Sequence, residues 1–186
     1  MNNYVIFTDS TVDLTPEMVA ELEIEIMSLT YSIEGKNYKD CPVRQGMSDR
    51  EFYNKLREGV PCTTAQLNPS DVSAVFEETL KEGKDILYIA FSSALSGTYQ
   101  SASMAAAELK KQYPNNKVIV VDSLAASMGE GLLVYMAVAK KREGYTIEEL
   151  EKWVYEHRNK IAHWFTVDDL HHLKRGGRVS ATAAII

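Results

Sequence analysis

Ile86-Leu87-Tyr88-Ile89-Ala90-Phe91-Ser92-Ser93-Ala94-Leu95-Ser96-Gly97-Thr98 is the stretch on which the fold is decided. Its first six residues are apolar without alternation, as a strand buried on both faces requires. A turn of small residues follows, and Tyr99, Ala102, Ala106 and Leu109 then recur at a spacing that suits a helix packed closely on a sheet. Outward from this point the same grammar repeats. Tyr4 to Thr8 and Val118 to Val121 are short apolar runs, and Ile161 to Val167 reads as a last strand. Helices are signalled between them: Thr15-Pro16 as a cap with proline at the first helical position, Ser48 with Glu51 as a capping box, Asn68-Pro69 with Asp71, Met128 to Arg142, and Ile147 to Arg158 behind Thr146 and Glu149. A short turn of helix is expected at Asp169 to Leu173. Continuous apolar strands separated by helices predict an α/β fold, a mostly parallel sheet with helices on both faces. One irregularity is expected: Ile24 to Ile33 reads as a strand that turns back at Glu34-Gly35-Lys36, a β-hairpin insertion over residues 28–40. Pro61 to Asn68 reads as a polar loop.

The 186 residues are 45% hydrophobic and 25% charged, which fits ordinary soluble domains and disfavours disorder. With no repeat, no low-complexity stretch and no Gly/Pro/Ser-rich linker, one compact domain is the economical reading. Lys and Arg total 20 against 26 acidic residues, a net charge of −6, so a nucleic-acid phosphate backbone is disfavoured as partner. No run is long enough for a transmembrane segment, and the N-terminus lacks signal-peptide regions, which makes a cytoplasmic protein the expectation. Cys41 and Cys62 are read as unbridged thiols. No Cys/His grouping suits a metal, and Gly129-Glu130-Gly131 has two glycines of a dinucleotide turn without the third, so neither metal nor nucleotide cofactor is expected.

Ligands of open parallel sheets bind outside the carboxyl ends of the strands. Here those ends deliver Asp9-Ser10-Thr11, Ser92-Ser93 leading to Ser96-Gly97-Thr98, Asp122-Ser123 and Asp168. Singly, such residues are ordinary helix caps; together they mark a site at this edge. The Ser92–Thr98 segment resembles an anion cradle, in which Gly97 permits close backbone approach and helix N–H groups point outward. Hydroxyls and amides without a fixed lysine suit a singly charged carboxylate. The competing reading makes Ser93 or Ser96 a nucleophile, but no GxSxG elbow is present, and His163, the nearest candidate base, falls inside the expected last strand as a core residue. Leu173 to Arg178 places three cations around a flexible glycine pair.

Taken in order, Thr8-Asp9-Ser10-Thr11-Val12-Asp13-Leu14, Thr64-Ala65-Gln66-Leu67-Asn68-Pro69, Ser92 to Ala102, and Phe165 to Leu170 with Leu173 to Arg178 resemble the successive signature motifs of the DegV family of bacterial fatty-acid-binding proteins. That family includes the FakB subunits, which present acyl chains to a fatty acid kinase. The resemblance runs from Tyr4 to about Ser180, with Ala65 standing where the family usually has serine. It implies a long-chain fatty acid as ligand, its carboxylate held by Thr64 and Ser96. Asp9, Ser10, Ser93, Gly97, Thr98 and Asp122 would lie near the head group or support it. Arg178, and less directly Arg175, would face the head group or a dihydroxyacetone-kinase-like partner. It further implies no catalysis by this chain, the alternative being a serine-dependent hydrolase or transferase acting on an acyl substrate. Family members continue into a second α+β domain, so residues 1–165 are read as the N-terminal domain and 166–186 as the truncated start of the lipid-binding second one. An apolar patch near Leu95 and Ala183 to Ile186 is expected where that domain would sit.

Overall fold

The computed structural model describes residues 3–42, 46–164, 166 and 170–179. In chain order the elements are β1 (Tyr4–Asp9), α1 (Pro16–Leu22), β2 (Glu25–Met27), β3 (Thr30–Ile33), β4 (Lys36–Lys39), α2 (Asp49–Arg57), β5 (Cys62–Ala65), α3 (Pro69–Lys81), β6 (Asp85–Ala90), α4 (Thr98–Gln112), β7 (Val118–Asp122), α5 (Ser127–Arg142), α6 (Ile147–His157) and α7 (Leu170–Arg175), with 3-10 turns at Ser10–Val12 and Arg158–Lys160.

Four strands form a parallel sheet in the order β2-β1-β6-β7. Residues Ile86 to Ala90 of β6 are all fully buried, because both faces of the sheet are covered. Side chains alternate across a strand, so Ile86, Tyr88 and Ala90 pack with Val72, Phe76 and Leu80 of α3 and Ala102, Ala105 and Leu109 of α4. Leu87 and Ile89 face the other way, into Leu133, Val134 and Ala137 of α5 and Leu150 and Val154 of α6. Alanines on α4 are what let that helix approach the sheet. The helix starts follow local chemistry: Thr15, Ser48 and Asn68 each accept an N–H of the first turn, and Thr146 with Glu149 completes a reciprocal capping box.

Three expectations are corrected. The strand over Ile24 to Ile33 is two strands in two sheets: β2 joins the parallel sheet, and the chain breaks at Ser28 and Leu29, where Ser10 Oγ takes the Leu29 N–H at 3.1 Å, before β3 enters a second sheet. The hairpin of β3 and β4 forms as expected, with Glu34 and Gly35 both at positive φ, 52° and 74°, in the turn whose twist suits a two-residue connection. The expected loop at Pro61 to Asn68 contains β5, antiparallel to β3 with Thr64 opposite Tyr31. It is a four-residue edge strand whose last three residues are exposed, so no apolar alternation announced it. Residues 161–164 form no strand, which leaves β7 at the edge of the described sheet; Phe165, Val167 and the expected helix start at Asp169 lie outside the described residues.

The small sheet β4-β3-β5 has its own core, in which Tyr31, Ile33 and Met47 are buried against Phe52 of α2, Val60 and Cys62. The structure forms no disulfide between Cys41 and Cys62. Gly129-Glu130-Gly131 is no dinucleotide turn but the first turn of α5, and the missing side chain of Gly131 makes room for Val12 O and Leu14. Leu95 is half-buried; the exposed apolar side chains include Met128, Leu132 and Tyr135, one stripe along α5, whereas Ala183 to Ile186 lie outside the described residues. No helix among the described residues is long and apolar enough to cross a membrane.

Candidate functional site

The carboxyl ends of β1, β6 and β7 converge because the sheet is parallel, and two aspartates there hold the loop after β6 from both sides. Asp9 Oδ2 accepts the Phe91 N–H at 2.9 Å and the Tyr88 hydroxyl at 3.0 Å. Its Oδ1 accepts the N–H and the hydroxyl of Thr11, at 3.2 and 2.6 Å. Asp122 Oδ1 accepts the N–H groups of Ser93 and Leu124, both at 3.1 Å. Burial raises the Asp9 pKa above the ordinary carboxylate range, and the four converging donors pull against that rise.

Within the loop, the Ser92 N–H donates to Ala125 O, the Leu95 and Ser96 N–H groups to Ser92 O, and the Ala94 N–H to Ser92 Oγ. The Thr98 N–H donates to Ser96 Oγ at 3.2 Å. An anion cradle of open backbone amides is therefore not what residues 92–96 present: their N–H groups are taken by Ala125 O, Asp122 Oδ1 and Ser92. The space over Gly97 is filled as well. A Cβ there would lie 2.1 Å from Gln66 Oε1, so the glycine admits the amide of Gln66, which donates from Nε2 to Ser101 Oγ at 3.2 Å. What the loop offers a ligand is hydroxyl chemistry: Ser93 is exposed, Ser96 is half-buried, and Thr98 is fully buried behind it.

The same contacts bring the second motif to this place. Gln66 on Gly97, and the Leu67 N–H donating to Thr98 Oγ1 at 3.4 Å, fasten the end of β5 to the first turn of α4. Thr64, exposed on β5, stands two residues upstream of this fastening. Ser10 lies at the same edge, but its Oγ accepts the Leu29 N–H and serves the crossing between sheets.

Arg175 and Arg178 are exposed at the end of α7, and the hydrogen bond of Arg178 runs to Gly176 O in its own turn. Asp168 lies outside the described residues. His163 is exposed rather than buried in a strand, and its ring lies against Gly129 at the start of α5.

Two residues at the edge escaped the sequence reading. Arg158 donates from Nη1 to Asp122 O at 2.7 Å, stacks over Tyr155 at 4.7 Å, and buries an Nε with no acceptor among the described residues. No motif surrounds it; it simply follows the end of α6. Glu130 is fully buried beneath Asp9, where its Oε1 lies 3.2 Å from Thr8 Oγ1 and its Oε2 lies 2.9 Å from Thr11 Oγ1. Burial, and then the nearby Asp9 charge, raise its pKa well above the usual range. Proton counting agrees. The one Thr11 hydroxyl proton lies between two carboxyl oxygens, Asp9 Oδ1 and Glu130 Oε2, so both contacts are hydrogen bonds only if one of the two carboxyl groups is protonated and donates, and the stronger upward shift points to Glu130. An acidic residue on the apolar face of the helix, three and four residues before Leu133 and Val134, is a signal the sequence did contain, although its burial and partners come only with the fold.

Comparison with known proteins adds the following. A family model described as uncharacterised protein, DegV family, matches residues 3–186. A DegV domain-containing protein of Clostridium perfringens is 48% identical over 186 residues, covering 100% of this chain and 64% of its own length. The chain thus spans slightly under two thirds of the curated relatives it matches. Among solved structures, a DegV family protein of Thermus thermophilus, described for its fatty acid binding, superposes with a TM-score of 0.84 at 34% identity over 99% of this chain and 63% of its own. DegV of Bacillus subtilis, described as a fatty acid binding protein, gives 0.79 at 27% identity over 100% of this chain and 64% of its own.

Proposed function

The chain belongs to the DegV family, and from that premise we propose that it binds a long-chain fatty acid by its carboxylate, through the Thr64 and Ser96 hydroxyls, and presents it to a fatty acid kinase for acyl phosphate formation. The observation that supports the reading is the fastening of the segment after β5, the strand that bears Thr64, to Thr98 of α4, whose hydroxyl bonds Ser96. The solved relatives of Thermus thermophilus and Bacillus subtilis, both described as binding fatty acids, support it.

The chemistry is suited to this division of labour. A carboxylate accepts hydrogen bonds and needs only a few fixed donors to decide which end of the acid faces the partner. Affinity comes from the tail: each buried methylene contributes about 0.8 kcal/mol, so a long chain supplies on the order of 10 kcal/mol gross. Walls for that tail are ascribed to this domain on one side and to the second domain, beginning in residues 166–186, on the other. Arg178 and Arg175 are assigned to the kinase-facing surface, where a dihydroxyacetone-kinase-like partner would meet an exposed cationic turn. Asp9 and Asp122 act indirectly, by holding the serine loop. The serine-hydrolase alternative lacks comparable support, since His163 packs on Gly129 and the hydrogen bonds of Ser96 Oγ run to Thr98.

Organic extraction of the purified protein followed by mass spectrometry tests the ligand, and addition of the kinase with ATP tests the presentation. The expected result is a co-purifying long-chain fatty acid that becomes an acyl phosphate only when the kinase is present. Absence of any fatty acid, or ester hydrolysis lost on Ser96→Ala, would reject the reading.

A further inference from the structure

Thr98 is fully buried at the first position of α4, and its hydroxyl sits between two groups. The Leu67 N–H donates to Thr98 Oγ1 at 3.4 Å, and Ser96 Oγ lies 3.0 Å away on the other side. Ser96 Oγ also accepts the Thr98 N–H at 3.2 Å. A hydroxyl has one proton and two acceptor positions, so the direction of the Ser96–Thr98 bond follows from counting. If Ser96 donated, both acceptor positions of Thr98 would be filled, and its own buried proton would find no acceptor among the described residues. Buried donors are rarely left so, because a desolvated donor without a partner is costly.

The opposite direction satisfies every group. Leu67 N–H donates to Thr98, Thr98 O–H donates to Ser96, and both acceptor positions of Ser96 are then filled by Thr98. Ser96 is left as donor only, with its proton turned away from Thr98 and toward the half-buried surface of the loop.

We infer that Thr98 is a positioning residue that presets the Ser96 hydroxyl as an outward donor, which selects a ligand oxygen able only to accept, such as that of an ionised carboxylate. This rests on the carboxylate reading of Ser96 given above. It also gives Leu67 a part: three residues beyond Thr64, its N–H starts the relay, so the segment that leaves the Thr64 strand orients the Ser96 hydroxyl.

Palmitate affinity, measured by titration calorimetry on the full gene product that carries these residues, tests it through a double-mutant cycle. Ser96→Ala is expected to weaken binding about tenfold or more, the scale of a hydrogen bond to a charged group. Thr98→Val should weaken it about fivefold or more in the parent protein, yet change the affinity of the Ser96→Ala variant by less than about twofold. Thr98→Ser, which keeps the relay, should stay within about twofold of the parent. Thr98→Ala takes the place of the valine variant if that one fails to fold. Additive losses in the cycle, or failure of Thr98→Ser to restore affinity, would overturn the positioning role while leaving Ser96 as a ligand. An unchanged affinity in Ser96→Ala would overturn the carboxylate reading itself.

Discussion

The two segments assigned to one carboxylate are built in opposite ways. The loop from Ser92 to Gly97 is held by buried Asp9 and Asp122 and by its own backbone hydrogen bonds, at the end of a strand fully buried from Ile86 to Ala90. The segment from Cys62 to Ala65 is an edge strand, exposed over its last three residues, on a small three-stranded sheet, and Gln66 and Leu67 beyond it join it to Gly97 and the first turn of α4. The first is a product of the core and the second is docked onto it. Damage to the first should therefore appear as lost stability, and damage to the second as lost affinity with the fold intact.

The largest effect is expected from Asp9→Ala. It would orphan the Phe91 and Thr11 N–H groups and the Tyr88 hydroxyl together around a fully buried position, while the Thr11 hydroxyl keeps Glu130 Oε2 as a partner. Each orphaned donor costs about 1–3 kcal/mol before relaxation, and a net loss of about 3–5 kcal/mol is expected in urea unfolding. A loss below about 1 kcal/mol would mean that the loop is held by its own bonds rather than by the aspartate.

Next come Ser96→Ala and Thr64→Ala, each expected to weaken fatty-acid binding by about 1.5–3 kcal/mol, while Thr64→Ala leaves the unfolding midpoint nearly unchanged because its side chain is exposed. Equal destabilisation by the two would erase the contrast between core-built and docked halves. Unchanged affinity in both would remove them from the head-group site.

The contrast also explains what the sequence could disclose. The strands β1, β6 and β7 were readable because a parallel sheet buried on both faces demands apolar runs, and the caps at Thr15, Asn68 and Thr146 were readable because a few side chains solve the orphan-amide problem at helix starts. Strand β5 was not readable, since its stability derives from pairing with β3 and from contacts with α4 that lie some thirty residues on, as the Gln66–Ser101 separation of 35 shows. The break between β2 and β3 was hidden for the same reason: a long-range bond from Leu29 to Ser10 sets it. Individual site residues were nameable as types at a strand end, but the occupied amides of the serine loop, the amide over Gly97 and the buried Glu130 depend on tertiary contacts.

Glu130 offers a smaller, pH-dependent test of the core-built half. Its folded pKa is raised, so the folded state binds a proton more tightly than the unfolded chain does. Its contribution is fully present below the unfolded-state pKa of glutamate, about 4.3, and falls as pH rises toward the folded value. Glu130→Gln keeps a donor for Thr11 and an acceptor for Thr8 without a titrating proton. The variant should show a shallower decline in melting temperature as pH rises, the remainder belonging to Asp9, whose pKa is also raised, and at the alkaline end it should match or exceed the parent. A parent whose stability rises across that range, with the glutamine variant following it, would mean that Glu130 is ionised in the folded protein.

The smallest effect is expected where the two halves touch, at Gly97→Ala. The backbone there has φ −77°, open to any residue, so strain plays no part. A new Cβ would meet Gln66 Oε1, the end of a flexible exposed side chain, which can swing aside at the cost of its bond to Ser101 and of a poorer residue at the helix cap. A destabilisation of about 0.5–1 kcal/mol follows. Affinity should fall further than stability does, because the displaced amide is one of the fastenings that hold the Thr64 strand against α4. Shortening Gln66 to Ala removes the collision, so Gly97→Ala should cost less in a Gln66→Ala background than in the parent. Should the alanine cost the same about 0.5–1 kcal/mol with Gln66 already removed, the glycine serves the cap alone, and the docking of β5 onto α4 rests on Leu67 and Thr98 without help from the glutamine.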